Sequence, residues 1–583
     1  WLIPLLSPIS RMPSQWQPAG RGPARCSTRG LALVRRGWSV ECDVLVIGAA
    51  AAGLTAAIEA RLRGASVLVA CKGKAGRSGN TIVAGSQFAT VVPYPGSEDS
   101  PEQHFLDTLA GGREVNDEEL LRLVVTRGGS QLLKLEGWGV KLLRSEGELV
   151  RRTPPGHRHP RGIQTDNAAF PVPAAGLSIT LPLRRKADEV GVRFLEDAPV
   201  VRLVVHEGEA AGAILVDLSR EELLAVQARA VVVAAGGGGQ LFSSTNNTRG
   251  IAGGSYGLML EAGATLRDME FVQFYPCQMN HPFKTVISSP LFSDGAVLRN
   301  RHGERFMPLY DPVNQDLATR DVMCQAIFQE LQKGNGVDGE VYMDCTAVPE
   351  ATLQKKYFPL VLDLRKQGID PGRDWLRVTA TTHFFMGGVR VDRSCHTDVP
   401  GLFAAGEAVG GVHGANRLSG NALTEAITTG AMAGEAAAGY ALGRSQLPEL
   451  PAVSIPPESG GRDGESLEAV REELRKAMWS GASIVRSESS LRAVLTTARA
   501  CLAAVEDCAA PTAPLLARKE ETRLMALTAQ AVVLSALARQ ESRGAHFRED
   551  LPVAKDRWLG SNLVRLTTEG LQVEFVPKQS IVF

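Results

Sequence analysis

The sequence has few cysteines, and they are not clustered. Nine cysteines are spread over 583 residues, and no two of them form a C-x-x-C pair. Iron–sulfur clusters and structural zinc sites need closely spaced thiolates, so the sequence predicts neither, and we assign no metal ligands. Scattered cysteines in odd number are more typical of a reducing compartment than of a secreted protein. We therefore expect a cytoplasmic protein, with any membrane association passing through a partner.

The sequence also lacks long apolar runs and an excess of either charge. No apolar run approaches the roughly 20 residues needed to span a bilayer, so we expect no direct membrane span. Basic and acidic side chains both number 63, which gives no support to nucleic-acid binding. Hydrophobic residues make up 44% and charged residues 22% of the chain, as in ordinary globular proteins. The length predicts roughly three or four domains.

Residues 1–40 differ in composition from the rest of the chain. They contain six arginines, no lysine and no acidic residue, and the sequence starts at Trp1 instead of methionine. An arginine-rich, acid-poor segment is typical of a targeting leader. Arg35-Arg36 lacks the apolar segment that follows a twin-arginine export signal. We favour an extension that does not fold, with a leader as the alternative.

A glycine-rich turn follows the first predicted strand, Asp43–Ile47. It reads Gly48-Ala-Ala-Ala-Ala-Gly53 and matches the G-x-G-x-x-G dinucleotide fingerprint except at its middle position, Ala50. The helix that follows still offers its N-terminus to a phosphate. The next predicted strand ends at Cys71-Lys72 without the acidic residue that binds ribose in NAD enzymes. An ordinary tight turn, with Lys72 as a solvated lysine, is the alternative interpretation.

Two later apolar strands also end in small residues. One reads Val231–Gly239 and ends in four glycines, and the other reads Gly401–Glu407. Because the carboxyl ends of parallel strands meet at one edge of a sheet, the three turns together predict one long bound dinucleotide. Glu407 is a candidate acceptor for ribose hydroxyls, and a carboxylate that stabilises a helix start is the alternative.

Isolated basic residues lie in two further glycine-rich segments, His383–Gly388 and His413–Asn421. The planar guanidinium of Arg417 can bind a carboxylate through two parallel N–H groups. The alternative for a lone histidine or arginine is a structural hydrogen bond, but two of them among glycines favour a site. Arg320, at the start of a predicted helix, would by itself indicate only a surface pair with Asp321.

The remaining pattern is of alternating strands and helices. Three strands, Val192–Phe194, Val200–His206 and Ala211–Val216, are predicted to form a sheet beside the first, and Ala228–Ala234 returns to the first sheet. Residues 443–464 are rich in proline, glycine and serine and predict a linker, and residues 465–540 predict helices.

From about Asp43 to about Pro552, the chain resembles the flavoprotein subunits of fumarate reductase, succinate dehydrogenase and L-aspartate oxidase. The segments that carry this resemblance are Glu270–Phe274, His302–Met307, Leu317–Val322, His383–Gly388, Gly401–Glu407, His413–Asn421 and Glu541–Asp550. The resemblance implies an α/β fold with a Rossmann-type FAD-binding domain, an inserted α+β capping domain and a C-terminal helical domain. After the extension at 1–40, the implied bounds are 41–276 and 380–445 for the FAD-binding domain, 277–379 for the capping domain, and 465–583 for the helical domain and tail.

The resemblance also implies which residues form the site. Arg320 falls on the family's catalytic proton donor, and His383 and Arg417 fall on ligands of a substrate carboxylate. Tyr275 and Ser288 fall on further substrate-binding positions. The residues implied to contact FAD are Gly48, Gly53, Lys72, Ser78, Asn80, Thr81, Gly236, Glu407, Asn421 and Leu423.

The sequence departs from the family at several positions. The family's His-Pro-Thr motif reads Tyr275-Pro276-Cys277, and its Thr-Glu-Gly-x-Arg proton relay falls on 288–292, with Asp294 nearby. A family aspartate falls on Tyr256. The segment Ser78–Thr81 lacks the histidine that carries covalent flavin in the membrane enzymes, so we expect noncovalent FAD. The flavin half of the resemblance is intact, and the dicarboxylate half is partly kept.

Our leading hypothesis is therefore an FAD-dependent oxidoreductase that transfers hydride between flavin N5 and a small carboxylate of the fumarate or succinate type. L-aspartate oxidase is one alternative. A flavin electron-transfer subunit that works with a separate iron–sulfur protein is another.

Overall fold

The computed structural model describes residues 39–287, 290–451 and 464–578. The strands are β1 (Ser39–Ile47), β2 (Val67–Ala70), β3 (Gln87–Ala89), β4 (Arg144–Ser145), β5 (Glu148–Leu149), β6 (Arg151–Arg152), β7 (Gly162–Gln164), β8 (Arg193–Leu195), β9 (Val200–His206), β10 (Glu209–Asp217), β11 (Glu222–Val233), β12 (Leu266–Arg267), β13 (Val272–Met279), β14 (Thr285–Val286), β15 (Val297–Arg299), β16 (Val341–Asp344), β17 (Leu376–Phe385), β18 (Gly388–Val389), β19 (Leu402–Ala404), β20 (Gly560–Thr567) and β21 (Gly570–Pro577). The α-helices are α1 (Ala51–Leu62), α2 (Pro101–Gly111), α3 (Glu118–Gly137), α4 (Leu177–Glu189), α5 (Gly254–Glu261), α6 (Pro290–Ser293), α7 (Met307–Tyr310), α8 (Arg320–Gln332), α9 (Glu350–Lys356), α10 (Phe358–Lys366), α11 (Asn421–Leu442), α12 (Gly464–Ala482), α13 (Glu488–Glu506) and α14 (Ala513–Ala538).

The largest sheet contains the three predicted glycine turns. Its strand order is β8-β2-β1-β11-β10-β9, and β19 pairs with β11. β2, β1, β11 and β19 are parallel, so their carboxyl ends, at residues 70, 47, 233 and 404, meet at one edge. Each of these strands is fully buried along its last three residues, which explains their continuous apolar runs.

The predicted second sheet is wrong in one respect, because β8, β9 and β10 extend the first sheet. The reason is the length of β11, which has 12 residues. Its first half pairs with β10 and its last three residues pair with β19, so one strand joins both groups.

Helix α1 packs closely against helix α11 because α11 has two glycines at the contact. A Cβ atom added at Gly430 would lie 2.6 Å from the backbone oxygen of Ala52, and one at Gly434 would lie 2.3 Å from that of Ala56. The pair brings the N-termini of both helices to the same edge of the sheet.

The capping region is built on a five-stranded sheet of order β14-β13-β17-β16-β15 with helices α6–α10. Its two central strands, β13 and β17, pair in antiparallel fashion. Both strands continue through the predicted domain boundaries at 276/277 and 379/380, and they carry Tyr275 and His383 toward the main sheet.

The C-terminal region contains the predicted helices, seen as α12, α13 and α14. The sequence did not predict the hairpin of β20 and β21, which joins β12 and β18 in a four-stranded sheet. Within the described residues, no helix combines the length and the apolar character that crossing a membrane requires. Most of the predicted linker, residues 452–463, lies outside the described residues.

Candidate active site

A large cavity of about 2630 Å³ lies where the carboxyl ends of β1, β2, β11 and β19 meet the capping sheet. This volume exceeds the ~300–1,000 Å³ of a typical small-molecule pocket, so it has room for a dinucleotide and a substrate together. The predicted site residues that line it are Gly48, Lys72, Ser78, Asn80, Thr81, Gly236, Tyr275, Arg320, His383, Glu407, Arg417 and Leu423. Gly53 and Asn421 do not line it, and Ser288 lies outside the described residues.

The glycines of the first turn allow close backbone packing. Gly48 has φ +108°, and a Cβ atom there would lie 2.3 Å from the oxygen of Ala234 in the second turn. A Cβ atom at Gly53 would lie 2.0 Å from the oxygen of Gly48. Gly53 therefore holds strand and helix together, and Gly48 joins two of the three predicted turns.

Two helix N-termini reach the cavity without side-chain caps. Helix α1 begins after Ala50 and α11 begins after Gly420, and neither N-cap residue makes a side-chain cap bond. Thr81 Oγ1 accepts a hydrogen bond from the N–H of Ala51 at 3.3 Å. The N–H groups of a helix start favour a phosphate or another electron-rich group, so this edge of the cavity fits FAD.

Glu407 lies between the cofactor and substrate parts of the cavity. Its Oε1 accepts a hydrogen bond from the backbone N–H of Phe385 at 3.1 Å, and its Oε2 accepts one from Asn80 Nδ2 at 3.4 Å. Desolvation raises the pKa of Glu407 to about 7. A Cβ atom at Gly237 would lie 2.4 Å from Oε1, so the glycine cluster makes room for this carboxyl group.

The positive charge of Lys72 is already neutralised by the C-terminal region. Lys72 Nζ lies 2.7 Å from Glu521 Oε1 on α14 and 3.2 Å from the oxygen of Gly250. Although burial opposes it, the charges of Lys72 and Arg471 hold the pKa of Glu521 at about 2. Lys72 therefore connects the cavity wall to α14. Ser78, the neighbouring predicted contact, donates a hydrogen bond to the oxygen of Lys74 at 2.9 Å.

The substrate candidates converge from three elements. Arg320 begins α8, and its Cζ lies 4.7 Å from the ring centre of Tyr275 on β13. The Tyr275 ring centre lies 5.2 Å from that of His383 on β17. Arg417, in the segment before α11, has its Cζ 4.8 Å from the ring centre of Phe384. These side chains share one end of the cavity, as the resemblance implied.

This end of the cavity has a positive charge that nothing in the described chain neutralises. Arg417 is only 6% exposed, and no carboxylate of the described residues forms an ion pair with it or with Arg320. Burial and the charge of Arg320 lower the pKa of Arg417 to about 9. The Nε atoms of both arginines lack hydrogen-bond partners. A buried cationic pair of this kind favours an anionic ligand such as a carboxylate.

His383 lies between these arginines and is neutral. Desolvation, then the charges of Arg417 and Arg320, hold its pKa well below the usual range of histidine. It can therefore offer a hydrogen bond to a carboxylate but no charge.

The departures from the family now have structural counterparts. The Tyr275 hydroxyl donates to the backbone oxygen of Ile287 at 2.9 Å, so its aromatic ring is the part that faces the arginines. Asp294 is occupied by Lys356 and Tyr357, each 2.6 Å away, and does not pair with Arg320. Tyr256 is buried and donates to the backbone oxygen of Glu407 at 2.8 Å, which is a structural role.

Sequence reasoning missed several polar residues around the site. Asn246 contacts His383, and Asn247 contacts Asn80. His157 Nε2 lies 3.0 Å from the oxygen of Ser419, beside Arg417 in the chain. The asparagine pair follows the second glycine turn closely, but a Thr-Asn-Asn-Thr segment is also typical of ordinary loops, so it gave no separable signal.

Asn421 is held by helix α2 instead of facing the cavity. Its side chain lies 2.9 Å from His104 Nε2 and donates to Thr108 Oγ1 at 3.0 Å. We expect it to contribute through the position of α11 and not by direct contact.

Comparisons with known proteins agree with this geometry. The family described as "FAD binding domain" matches residues 43–423, and "Fumarate reductase flavoprotein C-term" matches residues 471–580. A subunit of the fumarate reductase (CoM/CoB) of Methanothermobacter marburgensis is 34% identical over 541 residues, which cover 91% of this chain and 98% of that protein. L-aspartate oxidase of Mycobacterium leprae is 31% identical, over 91% of this chain and 97% of that protein.

The chain belongs to the fumarate reductase, succinate dehydrogenase and L-aspartate oxidase family of flavoproteins. The fold agrees with this, since a quinol fumarate reductase chain of E. coli superimposes with a TM-score of 0.81, at 26% identity over 94% of this chain and 98% of that one. The predicted family and fold class are confirmed. The chain is an FAD-dependent oxidoreductase of this family.

Proposed function

We propose that the chain transfers hydride between FAD and a carbon atom of a small carboxylate of the fumarate or succinate type. The observation that carries this proposal is the cationic pair of Arg320 and Arg417 in the cavity wall, without a carboxylate partner among the described residues. Such a pair is costly to bury unless an anion neutralises it.

The residues that would hold FAD are those at the carboxyl edge of the main sheet. They are Gly48, Ser78, Asn80, Thr81, Gly236, Glu407 and Leu423, which line the cavity. When bound, FAD supplies two-electron chemistry in which hydride moves to or from its N5. We propose a noncovalent cofactor because no histidine occurs in Ser78–Thr81.

The chain's own residues would bind the substrate and manage its proton. Arg417 would bind a carboxylate group through its guanidinium, and His383 would donate a hydrogen bond to it. Arg320 would hold a proton for the substrate carbon next to the one that exchanges hydride. The ring of Tyr275 would close the wall beside Arg320 and limit access of water.

L-aspartate oxidase activity is the second candidate. It is supported by several relatives of that name at 31–32% identity over about nine-tenths of this chain. Both activities need a carboxylate at Arg417, but they differ in the electron acceptor. The Methanothermobacter relative is named as one subunit of its enzyme, which supports a further proposal, that a separate iron–sulfur subunit is the electron partner.

The test is a flavin spectrum of the purified protein, followed by anaerobic reduction and reoxidation with fumarate. We expect a yellow protein whose reduced form is reoxidised by fumarate. Arg320→Ala should keep the spectrum but lose at least about a hundredfold in rate, as expected when a general acid is removed. Arg301→Ala, which removes an exposed arginine of the capping region, is the matched control and should keep the rate.

Other results would lead to other conclusions. Aerobic peroxide formation with L-aspartate, without reoxidation by fumarate, would select the second candidate. A colourless protein, or an Arg320→Ala variant as fast as the control, would overturn the proposal.

A further inference from the structure

A short polar segment, Thr245–Thr248, lies along the strand that carries His383. Thr245 Oγ1 and the backbone N–H of Asn246 both donate to the oxygen of Thr382, at 3.2 Å each. A Cβ atom at Gly239 would lie 2.3 Å from Asn247 Cγ, so the segment is packed against the second glycine turn. These contacts fix the backbone of both asparagines next to His383.

Backbone groups determine how two of the asparagine amides are oriented. Asn80 Oδ1 accepts from the N–H of Thr248 at 3.1 Å, so its Nδ2 is free to donate to Asn247 Oδ1, 2.5 Å away. Asn247 Nδ2 donates to the oxygen of His383 at 2.9 Å. A backbone N–H can only donate and a backbone oxygen can only accept, so neither amide can be flipped without losing a bond.

The orientation of Asn246 follows from that of Asn247. Asn247 Nδ2 also donates to Asn246 Oδ1 at 3.2 Å. Asn246 Nδ2 and Oδ1 lie 3.1 Å and 3.2 Å from His383 Nδ1. Because Oδ1 already accepts from Asn247, while Nδ2 has no other partner among the described residues, the amide N–H is the group that bonds to Nδ1. His383 Nδ1 is then an acceptor and carries no proton.

We propose that Asn246 is a positioning residue that fixes His383 in the tautomer with its proton on Nε2, on the side of the ring away from Asn246. This proposal rests on the proposed function only for its purpose, which is to present that N–H to the substrate carboxylate. The chain Asn80–Asn247–Asn246 extends the device to Glu407, so one line of hydrogen bonds joins the FAD wall to the substrate histidine.

The surrounding charges support a neutral ring. Arg320 on α8 and Arg417 before α11 face His383, Tyr275 on β13 packs against its ring, and Lys284 Nζ donates to Thr245 in the same segment at 2.5 Å. After desolvation, the two arginines lower the pKa of His383 further. A cationic histidine would therefore be disfavoured at neutral pH, and the tautomer decides what the ring can offer.

The direct test is ¹⁵N NMR of the imidazole nitrogens in histidine-labelled holoenzyme without substrate. His383→Gln identifies the signals among the ten histidines. We expect the His383 signals to show an unprotonated Nδ1 and a protonated Nε2 throughout about pH 5.5–8. A protonated Nδ1, or a ring that titrates within this range, would overturn the proposal.

A second test reverses the polarity of the hydrogen bond. Asn246→Asp keeps the shape but replaces the donor by a carboxylate, which raises the pKa of His383 and retains a proton on Nδ1. Below the new pKa both ring nitrogens are protonated and the substrate is still bound. Above it, Nε2 loses its proton, and KM for the carboxylate should rise about tenfold, the effect of losing one charge-assisted hydrogen bond.

The matched control is Asn167→Asp. Asn167 lines the same cavity, and its side chain makes no hydrogen bond among the described residues. The control adds the same charge without touching His383, and its KM should not acquire the new pH dependence. If both variants behave alike, the proposal is wrong. If Asn246→Asp does not fold, the wild-type NMR result decides, and it does so even if no carboxylate proves to be a substrate.

Discussion

At the residue scale, the site arginines differ from other buried arginines of this chain in their partners. Arg161 is fully buried but lies 2.5 Å from Asp99 and 2.9 Å from Asp107. Arg539 is also fully buried and pairs with Glu270 and Glu541. Arg417 has only the backbone oxygen of Leu418, at 3.2 Å. Since an unpaired buried cation is costly, its missing partner is best explained by a ligand.

Glu407 gives a prediction at the same scale, about pH and stability. Its pKa of about 7 in the folded protein exceeds the ordinary value of 4.5. A raised carboxyl pKa gives a contribution that is present at low pH and lost as pH rises through the folded pKa. Between about pH 5 and 8, the flavin-free wild type should therefore lose about 2 kcal/mol more unfolding free energy than Glu407→Gln. Urea unfolding at both pH values measures this difference.

The control for this prediction is Glu472→Gln. Glu472 also lines the cavity, but its side chain is 45% exposed and pairs with Arg475. It should show the same pH dependence as the wild type. A Glu407→Gln variant that keeps the full wild-type pH dependence would show that Glu407 is ionised in the folded protein.

Prediction from sequence succeeded for residues that end strands and failed for those defined by distant partners. Gly48, Gly236 and Glu407 could be found because an apolar strand followed by small residues marks the carboxyl edge of a parallel sheet. Asn246 could not, because its role depends on His383, 137 residues away. The charge of Lys72 is likewise set by Glu521, 449 residues away. Such pairings have no local periodicity.

At the element scale, the contact of α1 with α11 sets the position of both helix N-termini at the cavity. Gly434→Ala would place a Cβ atom 2.3 Å from the backbone oxygen of Ala56, so the two helices must separate. Overpacking of this kind costs about 1–3 kcal/mol. We expect that loss in urea unfolding, together with weaker FAD binding in a flavin-release titration.

Gly439→Ala is a matched control in the same helix. A Cβ atom at Gly439 has no atom within 4 Å, so the substitution should stabilise the helix by about 0.5–1 kcal/mol. If Gly434→Ala were as stable as this control, the close approach of the helices would not be a constraint on the fold.

The element scale also shows where the sequence pattern was insufficient. The periodicity located β9, β10 and β11 to within a few residues but placed two of them in a separate sheet. Pairing depends on register, and β11 pairs with β1 on one side and with both β10 and β19 on the other. The hairpin of β20 and β21 was missed because β21 alternates between exposed and half-buried positions and lacks a strong apolar run.

At the scale of the whole molecule, the helical region is tied to the site by buried polar contacts. Arg539, at the end of α14, donates to Glu270 Oε1 at 2.5 Å, and Arg486, just before α13, donates to the backbone oxygen of Glu270 at 2.7 Å. Glu270 is fully buried two residues before β13. The strand that carries Tyr275 is therefore anchored to the C-terminal helices.

Glu270→Gln tests this anchor. The substitution keeps the shape but removes a charge that faces Arg539, which retains Glu541 at 3.1 Å as a partner. Breaking a buried ion pair costs about 3–5 kcal/mol, and the remaining partner should reduce this to about 2 kcal/mol in urea unfolding. The exposed pair of Glu488 and Arg492 offers the control, since Glu488→Gln should change stability by less than about 0.5 kcal/mol. Equal stability of the two variants would mean that the helical region is held by apolar packing alone, because only the buried charge distinguishes them.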